Sequence, residues 1–149
     1  MKIVFLDIDG VLLPLPSNGE LDPSPEPSKD AILCLNLLVH SSGAKVVVTS
    51  TWRHDRTVEK LNSLLRSWGY VYGVHDKTHS IKGDEDRAAD IVHWIKHADE
   101  SVGAFVVIDD AQQDLAILAK HLVRPKPDVG LQLHDVLAAT KILNEEGAL

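Results

Sequence analysis

Apolar positions along the chain alternate between two patterns: short, dense runs rich in valine and isoleucine, and longer stretches with helical spacing. Lys2 to Leu6, Lys45 to Thr49, Tyr70 to Val74 and Ala104 to Ile108 read as strands, with Leu122 to Arg124 as a brief edge strand. Helices are predicted between them. One follows a Ser28 cap to about Val39 and stops near Gly43. The next opens at Asp55 or Thr57, runs through Leu61, Leu64 and Leu65, and is closed by Gly69. Further helices are predicted from about Asp84 to His97, from Ala111 to Lys120 and from His134 to Leu143. Pro14, Pro16, Pro23, Pro25 and Pro27, with Asn18-Gly19 among them, make residues 14–27 a loop with room for a small hairpin, and residues 75–83 form another loop. Strand and helix alternating throughout predict an α/β fold: a Rossmann-like three-layer sandwich on a mostly parallel sheet, with residues 1–149 as one domain.

Composition narrows the function classes. The 149 residues are 44% hydrophobic and 25% charged, as in an ordinary globular protein, and aromatics at 5% leave the core to aliphatic side chains. A net charge of −7 argues against a broad nucleic-acid surface, which needs clustered Lys and Arg. The single cysteine, Cys34, excludes an internal disulfide framework and reads as a small core residue. No stretch reaches the roughly 18 apolar residues of a bilayer span, and Met1 to Leu6 is too short for a signal-peptide core, so the expected location is cytoplasmic, with no membrane partner.

The chemistry gathers where strands end. In a parallel sheet, ligands bind at the carboxyl ends of the strands. Here those ends carry Asp7-Ile8-Asp9-Gly10, Thr49-Ser50-Thr51 and Asp109-Asp110. Each alone is an ordinary turn or cap sequence. Together they crowd carboxylates that repel one another unless a hard cation offsets the charge, and beside phosphate that cation is Mg²⁺. Hydroxyls and backbone N–H groups after the second strand are suited to phosphate oxygens. Of Asp7 and Asp9, one can attack phosphorus while the other handles the leaving group's proton.

The segment Phe5-Leu-Asp7-Ile-Asp9-Gly-Val-Leu12 resembles the first motif of the haloacid dehalogenase (HAD) superfamily of aspartate-nucleophile phosphatases. Val46-Val-Val-Thr-Ser50 resembles its second motif, and Val106-Val-Ile-Asp109-Asp110 its acidic fourth. Thr49-Ser-Thr-Trp-Arg53, Arg87 to Trp94, Val107 to Asp110 and the later Gly130-Leu131 look like the small HAD domains of, or related to, Swiss Army Knife RNA repair proteins. The resemblance implies Asp7 as nucleophile and metal ligand. It implies Asp9 as general acid and then base, with its backbone carbonyl on the metal, and Asp109 and Asp110 as the remaining metal ligands. The second-motif hydroxyl is Thr49 or Ser50, with Thr51 beside it. The third-motif cation is Arg87 or the competing Lys82. Arg53 reads either as a contact for a substrate anion or as a solvated helix-start residue.

Members of the superfamily often insert a cap domain. Residues 14–27 and 75–83 are too short for one, so the expected site is open, which favours large substrates. The implied activity is a Mg²⁺-dependent phosphomonoesterase acting on a phosphorylated substrate such as a nucleic-acid end or a nucleotide. The alternative is a metal-binding interaction or regulatory module without turnover. A response-regulator receiver is disfavoured, because receivers put the acidic pair on the first strand. His93 and His97 have the i, i+4 spacing of a zinc pair but no evident third ligand, and read as surface residues. Trp68 and Trp94 read as core; Trp52 reads first as packing, with stacking on a base as the alternative.

Overall fold

A computed structural model of the chain describes residues 1–16, 25–83, 86–111 and 115–145. Five strands form one wholly parallel sheet: β1 (Lys2–Leu6), β2 (Lys45–Val48), β3 (Asp76–Lys77), β4 (Ala104–Ile108) and β5 (Leu122–Val123), in the spatial order β3-β2-β1-β4-β5. β1 lies at the centre, with Leu6 opposite both Val48 and Ile108, so three strands end at one level. Chain order reverses direction across the sheet at β1, the position where such sheets open a crevice for ligands.

Side-chain alternation splits the core into two layers. Val4, Leu6, Val46, Val48, Val106 and Ile108 face α1 (Lys29–Ser42), α2 (Val58–Ser67) and α4 (Leu133–Asn144). Ile3, Phe5, Val47, Phe105 and Val107 face α3 (Arg87–His97) and a 3₁₀ segment, Ala116–His121. The α1 boundaries follow from its caps: the Ser28 hydroxyl accepts from the Ala31 N–H, and Gly43, at φ 69°, donates to the Val39 carbonyl. Thr57, not Asp55, caps α2 through the Lys60 N–H. No described helix is long and apolar enough to cross a membrane.

Two predicted elements fall elsewhere. The third strand is at Asp76–Lys77, not at Tyr70–Val74. The Asn36 amide oxygen takes the Val71 N–H and the Asn62 amide oxygen takes the Val74 N–H, which removes both donors from any ladder. Tyr70 is buried, with its hydroxyl on the Gly73 carbonyl. The helix predicted at Ala111–Lys120 lies partly outside the described residues, and what is described is the 3₁₀ segment from Ala116, broken at Leu118 by φ −104° and ψ 19°. The last strand ends at Val123, and α3 begins at Arg87 behind an Asp86 cap, later than predicted. The hairpin envisaged within 14–27 falls largely outside the described residues. Cys34 and Trp68 pack half-buried at the edge of one core layer, and Trp94 at the edge of the other, with its indole N–H on Asp76.

Candidate active site at the strand ends

Asp7, Thr49 and Asp109 directly follow β1, β2 and β4 and continue the alternation of Phe5, Val47 and Val107, which places all three on the α3 side. Asp7 is 2% exposed and Asp109 1% exposed. One carboxylate oxygen from each of Asp7, Asp109 and Asp110 lies within 4.8 Å of the others. Asp110 reaches this group because residue 10 is glycine. Its φ is +76°, and a Cβ there would stand 2.5 Å from the Asp110 Oδ2.

Arg87, the first residue of α3, spans the cluster. Its Nη1 lies 2.6 Å from Asp109 Oδ2 and 3.3 Å from Asp7 Oδ2. Burial works against the guanidinium charge, but the two carboxylates outweigh it and raise its pKa. Asp7 is pushed up to about 8, by burial first and by the Asp109 charge second, with Arg87 pulling the other way. Asp110 is raised as well, again chiefly by burial. Three carboxylates with one guanidinium leave an excess of negative charge in a place that disfavours it.

Among the described residues, the buried side-chain polar atoms without a hydrogen-bond partner are Asp7 Oδ1, Thr49 Oγ1 and Thr78 Oγ1. All three belong to residues just past the ends of neighbouring strands β1, β2 and β3. A buried oxygen without a partner is costly, so each of these atoms is open to a water or a ligand atom. The donor set fits a metal of the hard class: carboxylate oxygens only, with one acceptor atom unused.

The sequence-predicted residues divide as follows. Asp7, Asp109, Asp110 and Arg87 come together. The Asp9 carboxylate is not part of the three-carboxylate group; both its oxygens accept from the Trp52 indole N–H at 3.2 Å. Ser50 Oγ accepts from the Trp52 backbone N–H as the cap of a 3₁₀ turn, Thr51–Arg53, whereas the Thr49 hydroxyl has no partner. Thr51 is exposed at the start of that turn. Lys82 is exposed in the loop before α3 and forms no ion pair with the cluster.

Arg53 departs from both of its predicted roles. It is 2% exposed and is neither solvated nor a free anion contact. Its guanidinium donates to the carbonyls of Thr49, Ser50 and Thr78 and pairs with Asp90 of α3 at 3.1 Å. Asp90 also accepts from the Ile81 N–H. This buried pair therefore joins the turn after β2, the loop after β3 and the first turns of α3. His93 and His97 stack on the surface, with ring centroids 4.1 Å apart.

Sequence reasoning placed Trp52 beside the site but missed its tie to Asp9. The available signal was an indole donor three residues after Thr49, at a strand end facing a carboxylate loop.

A family model described as the HAD domain in Swiss Army Knife RNA repair proteins matches residues 3–136. No curated protein matches the chain. The parallel sheet with β1 at its centre, the acidic cluster at its carboxyl rim and a match over most of the sequence agree, and the chain belongs to the family of HAD domains in Swiss Army Knife RNA repair proteins.

Proposed function

We propose that this chain is a Mg²⁺-dependent phosphomonoesterase that works through an aspartyl-phosphate on Asp7, with a phosphorylated nucleic-acid end or nucleotide as substrate. The observation that carries the reading is the cluster of buried Asp7 and Asp109 with half-buried Asp110, in which Arg87 bridges Asp7 and Asp109 and one Asp7 oxygen has no partner. Asp7, Asp109, Asp110 and the Asp9 backbone carbonyl are the groups proposed to hold Mg²⁺. When bound, the ion would offset the carboxylate charge and that of the phosphoryl oxygens.

The chain's own residues then divide the work. A carboxylate oxygen of Asp7 forms a bond to phosphorus as the bond from phosphorus to the leaving oxygen breaks, and Asp9 gives its proton to that oxygen. Water next attacks the aspartyl-phosphate and passes a proton to Asp9, which releases inorganic phosphate and restores both carboxyl groups. Arg87 holds Asp7 and Asp109 in place and supplies positive charge as phosphoryl charge develops. Thr49, with its unpaired hydroxyl, is the better candidate for holding a phosphoryl oxygen; Ser50 already serves as a cap.

The test is phosphate release with Mg²⁺ from p-nitrophenyl phosphate, nucleoside monophosphates and oligonucleotides phosphorylated at either end, comparing wild type with Asp7→Asn. Turnover that the substitution abolishes is expected. Folded wild type with Mg²⁺ and no turnover on any of these substrates would refute the reading.

A further inference from the structure

Asp9 stands two residues after Asp7, and its carboxylate is not one of the three that gather. The structure holds it away. The Trp52 Nε1–H donates to both Asp9 oxygens, each at 3.2 Å, across 43 positions of sequence. The indole is itself held on several sides. Trp68 packs edge-on at 5.7 Å, the Arg56 guanidinium lies 4.8 Å over the ring, and the Trp52 backbone N–H donates to Ser50 Oγ. With Arg56 over the ring, stacking a base on that face would require displacing it, so the polar edge of Trp52 is the part best used.

From these contacts we infer that Trp52 is a positioning residue for proton transfer: its indole N–H fixes the Asp9 carboxyl outside the three-carboxylate cluster, in the pose from which it protonates the leaving oxygen. The inference rests on the phosphatase reading above and adds a residue to it. An indole N–H only donates and carries no charge. It can hold a carboxyl in either protonation state, because the neutral form still offers an acceptor oxygen.

Trp52→Phe removes the N–H and keeps an aromatic ring. Trp68→Phe trims the packing partner and keeps the N–H. The readout is kcat/KM, which covers the steps up to departure of the leaving group, for p-nitrophenyl phosphate and for a nucleoside monophosphate. p-Nitrophenolate departs as an anion, whereas a sugar alkoxide needs a proton. With Trp52→Phe, kcat/KM on the nucleotide is expected to fall roughly 10- to 100-fold, the scale of one hydrogen bond to a charged group, and to fall at least several-fold less on the aryl ester. Trp68→Phe is expected to show no such difference between substrates. Equal losses on both substrates for Trp52→Phe, or no loss on either, would overturn the inference while wild-type turnover left the phosphatase reading standing. The same selectivity in Trp68→Phe would overturn it too, by showing that packing suffices. Absence of wild-type turnover would defeat the phosphatase reading itself, and this inference with it.

Discussion

Substituting Arg53 by methionine should cost far more stability than an ordinary surface change, and a second substitution should return part of the loss. Arg53 and Asp90 are each 2% exposed, their charged atoms 3.1 Å apart. Methionine keeps much of the volume but leaves Asp90 as a buried charge without its cation, and takes a donor from the Thr49, Ser50 and Thr78 carbonyls. Breaking one side of a buried pair costs about 3–5 kcal/mol, most of it for the charge left behind. For a domain of this size that lowers the melting temperature by about 6–20 °C. Arg53→Met combined with Asp90→Leu removes the stranded charge. The Thr49 and Thr78 carbonyls and the Ile81 N–H lose these partners, while the Ser50 carbonyl keeps the Arg53 backbone N–H, so the double variant should not reach wild type, yet it should be more stable than Arg53→Met alone. Urea and thermal unfolding measure both. A single variant within about 1 kcal/mol of wild type, or a double variant less stable than the single, would refute the argument that the stranded charge dominates.

Other consequences can be measured at the rim. Mg²⁺ at a hundredfold excess over its dissociation constant should stabilise the fold by about 2.7 kcal/mol, and Asp109→Asn should abolish most of that increment in thermal melts. Gly10→Ala puts a Cβ at φ +76° and 2.5 Å from Asp110 Oδ2, and should cost about 1–3 kcal/mol in urea unfolding while weakening Mg²⁺-dependent stabilisation as Asp110 is displaced. Asp7→Asn removes a buried carboxylate beside Asp109, and should raise the melting temperature in EDTA by an amount worth about 0.5–2 kcal/mol, even as turnover is lost. An EDTA melt no higher than that of wild type would count against charge crowding as a cost built into the site.

What could be read from the chain was what neighbours in sequence decide. Asp7, Asp109 and Asp110 sit directly at the ends of apolar runs, and the Ser28 and Gly43 caps flank a clear helical stretch, so pattern and position sufficed. β3 was misplaced because its two residues, Asp76 and Lys77, are polar, while the apolar Tyr70–Val74 lost its strand donors to asparagines on two helices. Arg53 was misread because its burial depends on Asp90, 37 residues away, and spacing within one turn cannot reveal a partner on another helix. Arg87 is favoured over Lys82 in the sequence because it precedes an Ile-x-x-Trp helical pattern; the Asp86 cap makes Arg87 the first residue of α3, and it is Arg87 that reaches Asp7 and Asp109.

Arg87 occupies the worst end of a helix for a cation, since the free N–H groups there already carry partial positive charge. The acids opposite offset this, together with the Asp86 cap and Asp90 in the same first turn. Any lineage that neutralised those acids would be left with a repulsive helix start, and would be pushed to replace the arginine as well. The helix terminus and the acidic rim are thus coupled through one guanidinium.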